Sequence, residues 1–199
     1  MFWLAKNFHL KSGLGTCWAV TNLCDNYDIT NADVALALGR ILSIGGIPLI
    51  YLGDEIGTLN DYTYRDDPAK AEDSRWVHRP WADWVVYEKR CDSQTLPGRL
   101  YRSLVQLIHL RKTTPALAGN DTSILDVGNP HIFACLRQHE GDRVLILASF
   151  TENPQTIPSN EFRLQGLTGT FTDVVSGPRL EPGQDLELGP FQVVWLKMG

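Results

Sequence analysis

Most of the features that assign a chain to a specialised class are missing from this sequence. Cysteine is scarce: Cys17, Cys24, Cys91 and Cys135 are spread along 199 residues with neither a CxxC pair nor a Cys/His ligand pattern. No disulfide framework or zinc module is predicted, and the thiols are expected to be reduced. His9, His78, His109, His131 and His139 are equally dispersed, with no pair at ligand spacing on one element, so neither a metal nor another cofactor is predicted. Basic charge is not in excess. The 18 Lys and Arg and 23 Asp and Glu give a net charge of -5 and are scattered, which argues against the polybasic surface that holds nucleic acid. Long apolar runs are missing too, since Ile47–Leu52 falls far short of the roughly 20 residues that span a bilayer. Residues 1–7 lack the basic and apolar regions of a signal peptide. The expectation is a cytoplasmic protein with no nucleic-acid and no membrane partner. Internal repeats and low-complexity segments are also lacking.

What remains is ordinary globular composition, 43% hydrophobic and 21% charged, enough to build a core. Residues 1–30 show no periodicity and read as loop. Within them, Ser12-Gly13-Leu14-Gly15 superficially suggests a phosphate cradle, but the preceding strand, the third glycine and the lysine are missing. Asn31 is a plausible N-cap and Asp33 suits the positive end of a helix. Val34, Leu38, Ile41 and Leu42 then form one stripe, and Gly45-Gly46 should end the helix. Ile47–Leu52 is continuously apolar between glycines, as in a strand buried on both faces. Helix followed by buried strand is the unit of a parallel α/β sheet or barrel, and one unit cannot close a barrel.

Residues 53–98 read as a long loop dense in charged and aromatic groups, the kind of loop that usually carries function. Leu100, Leu104, Leu107, Ile108 and Leu110 predict an amphipathic helix over Arg99–Lys112, stopped before Pro115 and carrying Arg111 and Lys112 at its negative end. Beyond it lie short β-prone runs, Ile132–Leu136, Val144–Phe150, Thr170–Val175 and Gln192–Leu196, separated by Gly, Pro and Asn turns, as in an antiparallel sandwich. The fold class expected is α/β plus all-β, divided into 1–114 and 115–199.

The stretch Gly45-Gly46-Ile47-Pro48-Leu49-Ile50-Tyr51-Leu52-Gly53-Asp54-Glu55-Ile56-Gly57 resembles the G-x-P-x-x-Y-x-G-x-E segment at the eighth barrel strand of the α-amylase superfamily, glycoside hydrolase family 13. Thr58-Leu59-Asn60-Asp61 and Glu72-Asp73-Ser74-Arg75-Trp76-Val77-His78-Arg79-Pro80 resemble, more narrowly, the amylosucrase and sucrose hydrolase branch. The similarity runs on to Trp195. It implies the last βα elements of an incomplete (β/α)8 barrel (helix 7, strand 8, long loop, helix 8), followed by a C-terminal β-sandwich.

Retaining glycoside chemistry needs two carboxyl groups about 5 to 5.5 Å apart, and the family adds a third. The resemblance places all three after barrel strands four, five and seven, upstream of this sequence. Asp25 and Asp28 form no His-Asp dipeptide, so no catalytic residue is assigned. Arg75 is the one substrate-binding residue carried over. Its planar fork suits a carboxylate and sugar hydroxyls together, and the family pairs it with an Asp from an early barrel loop. The resemblance implies that Glu55 is mainly structural, bonding groups near the strand end, and adjacent residues on an extended segment face opposite ways, which also argues against Asp54 and Glu55 as an acid/base pair. Trp76, Trp81, Trp84 and Tyr87 are read as packing groups ahead of a sugar platform. His78 and Arg79 fit a pocket entrance or a surface salt bridge equally.

The implied parent enzyme transfers glucose from sucrose to an α-glucan or to water, and this chain alone is expected to be inactive. The alternative is a non-catalytic glucan-binding module, or one that complements a separate N-terminal barrel portion. Sucrose or α-glucan and that barrel portion are the partners expected.

Overall fold

A helical turn through Gly39, Leu42 and Ser43 breaks at the bend Ile44–Gly46, where Gly46 takes φ 97°, a left-handed conformation that glycine adopts without a Cβ clash. The computed structural model describes residue 39 and residues 42–199. The expected loop over 1–30, most of the helix begun at Asn31, Cys17, Cys24, His9 and Ser12–Gly15 lie outside the described residues. Of the expected helical stripe, Leu42 lies within them and is buried.

The strand expected at Ile47–Leu52 is corrected: Ile47–Ile50 pair with no strand and Tyr51–Gly53 begin a turn. Ile47 is 97% exposed. An apolar run becomes a buried strand only when neighbours satisfy its amides and cover both faces, and among the described residues no strand lies beside this one.

The described chain divides into two compact units, one of them containing Pro48–Val105 and the other Leu38–Ile47 with Gln106–Gly199. The first unit is built of single 3-10 turns, Asp54–Ile56, Thr63–Asp66, Ser74–His78 and Lys89–Cys91, with the short helix α1 (Trp84–Glu88) and the start of α2 (Leu96–Thr113). Thr95 begins α2: its hydroxyl accepts from the Gly98 amide at 3.2 Å, the bond that an N-cap makes to the third helical residue. Pro97 is tolerated there because first-turn amides have no intrahelical acceptor. The helix therefore starts at Leu96 rather than at the expected Arg99. Leu100, Leu104 and Leu107 form its buried stripe.

In the second unit β1 (Asp121–Leu125), β2 (Ile132–His139), β3 (Asp142–Ser149), β4 (Gln155–Ile157), α3 (Ser159–Leu164), β5 (Phe171–Asp173), β6 (Arg179–Leu180), β7 (Leu186–Leu188) and β8 (Val193–Met198) follow in order. They form a six-stranded antiparallel sheet, β1-β2-β3-β8-β5-β6, and a two-stranded sheet, β4-β7. Register puts Leu136 opposite Leu145 and Leu145 opposite Leu196. One face of the large sheet thus carries Ala134, Leu136, Leu145, Leu147, Val194 and Leu196 in a core with Ile157 and Leu188 of the small sheet and Phe162 of α3. These side chains come from the alternate positions of each strand. This is the antiparallel sandwich the β-prone runs predict.

The other face is covered as well. Cys135, Ile146 and Trp195 share it by register and are fully buried, as are Ala116 and Leu117 of the turn Pro115–Leu117. Two arginines fix this side. The Arg111 guanidinium donates to the carbonyls of Leu42, Ile44 (3.3 Å) and Gly46 (2.8 Å). Arg137, fully buried on β2, donates to Ser43 at 3.2 Å, to Leu117 at 3.4 Å and to Gly119. Carbonyls at the end of a helix carry the negative end of its dipole, so the broken helix end accepts from both cations. Burial, and then the mutual repulsion of the two charges, moves the Arg111 pKa down; burial does the same for Arg137. Arg111 therefore caps the upstream helical turn, a role beyond the dipole match read from its position in α2. These contacts place Leu38–Ile47 and the second half of α2 with the sheet, and the two compact units part at Val105/Gln106.

Candidate functional site

The loop after Gly53 is shaped by short-range bonds from carboxylates to nearby amides. Asp61 accepts from the Thr63 amide at 2.9 Å, Asp67 from Ala69 at 3.0 Å, Asp83 from Val85 at 3.0 Å and Val86 at 3.1 Å, and Asp92 from Gln94 at 2.9 Å. Aspartate favours such turns because its short side chain reaches its own backbone two residues on. One backbone bond, Asp61 N to Val77 O at 2.8 Å, ties the early and late arms together.

Arg75 belongs to the same pattern. Asp73 accepts from the Arg75 amide at 3.0 Å, and its two oxygens take the guanidinium from Nε (2.8 and 3.1 Å) and Nη2 (2.8 Å). The Arg75 side chain is 70% exposed. Hydrogen bonds from Arg75 hold the Asp73 carboxyl down at about 2, so the pair is ionised at any working pH. A fork held on one edge keeps its remaining donors for a ligand. The partner given by the structure is thus Asp73, two residues away. The Asp-Ser-Arg spacing in the sequence is the signal that could have found it.

Two cations lie over the Trp76 ring, Lys70 Nζ at 5.2 Å and the Arg79 guanidinium at 5.5 Å from its centre, within the range of cation–π attraction. Arg79 therefore contacts Trp76. Tyr87 is buried and meets the Trp84 ring at 5.3 Å, a packing role. Trp81 is 90% exposed and Trp84 71%, so these two expected packing residues present open faces.

Asp54 and Glu55 bond backbone. Asp54 Oδ2 accepts from Tyr51 N at 3.0 Å and Glu55 Oε2 from Gly53 N at 2.8 Å. Asp54 is 2% exposed and its Oδ1 has no hydrogen-bond partner among the described residues. Burial outweighs the Tyr51 hydrogen bond and raises its pKa to about 6. Burial, with the Glu55 charge behind it, also raises the Tyr87 hydroxyl. Both carboxylates accept from amides of the turn that launches the loop, and only Glu55 is partly exposed. Among the described residues no cluster of His, Cys, Asp or Glu is arranged to hold a metal ion, and no helix is long and apolar enough to cross a membrane. Cys91 is exposed, while burial pushes the Cys135 thiol up to about 11.

Residues 122–195 match the sequence profile of the family described as Maltogenic Amylase, C-terminal domain. The chain is 25% identical over 167 residues to a glucosylglycerate phosphorylase of Spirochaeta thermophila, covering 78% of this chain and 28% of the relative. Among solved structures it is similar to the α-amylase of Geobacillus thermoleovorans complexed with acarbose, with TM-score 0.67, 19% identity, and coverage of 90% of this chain and 36% of the other. A mutant of MutB, the trehalulose synthase of Pseudomonas mesoacidophila, in complex with the substrate sucrose gives TM-score 0.56, 19% identity, and coverage of 84% and 38%. The chain thus spans between a quarter and two fifths of the length of the proteins it resembles. Its antiparallel unit has the fold of the C-terminal portion of these solved structures, and residues 122–195 within it are similar to the maltogenic amylase C-terminal domain.

Proposed function

We propose that this chain is the C-terminal portion of a retaining α-glucosyl-transferring or sucrose-hydrolysing enzyme of the amylosucrase type, and that it is catalytically incomplete alone. In this reading residues 1–114 derive from the end of a catalytic barrel and 115–199 form the sandwich behind it. The observation that carries it is the order of parts: the Gly45–Gly57 motif and its Asp73–Arg75 loop stand directly ahead of a helix and a maltogenic-amylase-type sandwich. Retaining chemistry needs two carboxyl groups about 5 to 5.5 Å apart. Asp54 and Glu55, the acidic pair of this motif, are occupied with backbone amides.

Arg75 is the group that meets the substrate. Its fork, braced on Asp73, donates to hydroxyls of a terminal glucosyl unit and orients it, while the carboxylates that break the glycosidic bond come from the rest of the barrel. A relative named glucosylglycerate phosphorylase makes inorganic phosphate an acceptor worth assaying beside water and α-glucan. The setting is cytoplasmic carbohydrate metabolism.

The test is co-expression with a polypeptide that carries the first seven barrel strands of an amylosucrase. Fructose release from sucrose by the mixture, reduced at least tenfold by Arg75→Ala, supports the proposal. A mixture that forms a complex yet releases no fructose contradicts it. A second reading, a complementing module that only buttresses a separate barrel, is favoured by the exposed apolar residues Ile47, Leu49 and Leu52. In that case Arg75→Ala leaves release unchanged.

A further inference from the structure

The loop that carries Arg75 leaves the Gly45–Gly57 motif at the turn Asp54–Ile56 and returns at α1. Inside it, carboxylates bond to amides two or three residues on, and Asp73, two residues away, braces Arg75. Bonds of this range fix the shape of each turn and leave its placement open. Placement has to come from links between arms distant in sequence, which also offset the entropy of closing a long loop.

The departing arm is anchored on α2. Ile56 and Leu100 are both buried, and Gly57, at φ 71°, lies so close to Leu100 that a Cβ there would fall 2.7 Å from its Cδ1. Thr58 N closes the turn on Gly53 O at 2.9 Å. The returning arm is anchored on the same helix: the Thr95 hydroxyl donates to the carbonyls of Lys89 (2.9 Å) and Asp92 (2.7 Å), and Arg90 Nη1 donates to the Tyr87 carbonyl at 2.7 Å. Tyr87 then joins the two arms. Its side chain is buried against Trp84 and its hydroxyl donates to Glu55, whose Oε2 also accepts from Gly53 N at 2.8 Å. Further out, Asp61 N donates to Val77 O at 2.8 Å and ties the departing arm to Ser74–His78, the turn that contains Arg75.

Packing alone accounts for the ring of Tyr87 and not for its hydroxyl, since a phenylalanine would fill the same space. A phenol that gives its one proton to a carboxylate makes a hydrogen bond of the stronger, charge-assisted kind. We propose that Tyr87 is a positioning residue for Arg75: its bond to Glu55 closes the neck of the loop and so sets the orientation in which the Ser74–His78 turn meets a substrate. The substrate role rests on the reading of Arg75 given above, whereas the latch rests on Tyr87 and Glu55.

The test compares Tyr87→Phe, which keeps the ring, with Glu55→Gln, which keeps a side-chain acceptor. In the full chain, hydrogen exchange at the Asp61 amide should be about tenfold faster in Tyr87→Phe, as expected on loss of one hydrogen bond to a charged group. Glu55→Gln should speed it by a smaller factor, and exchange along β3 should be unchanged in both. In the complemented enzyme, Tyr87→Phe should raise the KM for sucrose about tenfold with kcat retained, and should add nothing in an Arg75→Ala background. Unchanged exchange at Asp61 in Tyr87→Phe overturns the latch. A KM increase of the same factor in the Arg75→Ala background overturns the link to Arg75, because a merely loosened fold acts independently of that side chain. The result is separable from that on fructose release: faster Asp61 exchange in a chain whose complemented enzyme releases no fructose sustains the latch and rejects the substrate reading.

Discussion

The sandwich unit and the loop unit are held by different forces. In the sandwich, β3 is buried on both faces, and Leu147, Ile157, Leu188 and Trp195 are all fully buried. Its stability comes from apolar area and ladder pairing between residues distant in sequence. In Pro48–Val105 the described hydrogen bonds are mostly short-range, from Asp61, Asp67, Asp73, Asp83 and Asp92 to amides two or three residues on, and large apolar side chains stay in water. Local bonds set the shape of a segment but contribute little cooperative stability. The sandwich can therefore keep its own fold, while the loop unit has a defined shape and a thin core.

The sharpest way to break this contrast is a core truncation. Leu147→Ala should destabilise the sandwich by about 3 kcal/mol, within the usual range for such a cavity, seen as a lower urea midpoint by circular dichroism. A loss below about 1 kcal/mol would mean that the two sheets do not share one core.

Acidity should act on the other unit. The Asp54 pKa is raised to about 6 from 3.8, so the folded loop binds a proton more tightly than the unfolded chain. Its contribution is present in full below pH 4 and is lost as pH rises through about 6. The shift spans about 3 kcal/mol at ~1.4 kcal/mol per pKa unit. Hydrogen exchange at residues 51–58 should accordingly be slower at pH 4.5 than at pH 7.5 after correction for intrinsic rates, and Asp54→Asn should remove the difference. A faster corrected exchange at pH 4.5 would reverse the assignment.

Removing one cap should produce a smaller, local effect. Asp83→Ala deprives Val85 and Val86 of their acceptor and should cost α1 about 1 kcal/mol, read as faster proteolysis near residues 81–90 at an unchanged sandwich midpoint. A shifted midpoint would couple the units more strongly than the contrast allows. Smallest of all is Asp73→Ala. The ion pair is exposed and screened by water, so overall stability should stay unchanged while the Arg75 side chain loses its order in NMR relaxation. An Arg75 side chain equally ordered in the variant would assign its position to other contacts.

The parts legible in the sequence are those whose pattern is set by their own residues. The apolar runs of β2, β3 and β8, covered on both faces of the sheet, and the one buried stripe of α2 are present in the structure because each must be taken out of water. Short or polar elements were not legible. β1 (Asp121-Thr122-Ser123-Ile124-Leu125) is paired yet mostly exposed, and β4, β6 and β7 have two or three residues each, too few for a period. Ile47–Leu52 fails for the opposite reason, since its pattern demands neighbours that the described chain lacks. Arg137 sits inside an apolar strand, and only the carbonyls of Ser43, Leu117 and Gly119 explain a buried cation there. At the candidate site, the capping aspartates and the Asp73–Arg75 pair follow from i to i+2 spacing. The burial of Asp54 depends on tertiary packing, which spacing does not encode.

The most direct test of the central claim is fructose release from sucrose by the purified 199-residue chain, with and without α-glucan, beside its Arg75→Ala variant. The account predicts no release above the variant or buffer, because the groups that cleave the glycosidic bond are supplied elsewhere. Release by the chain that disappears in the variant would contradict it, and would return Asp54 and Glu55 to the chemistry.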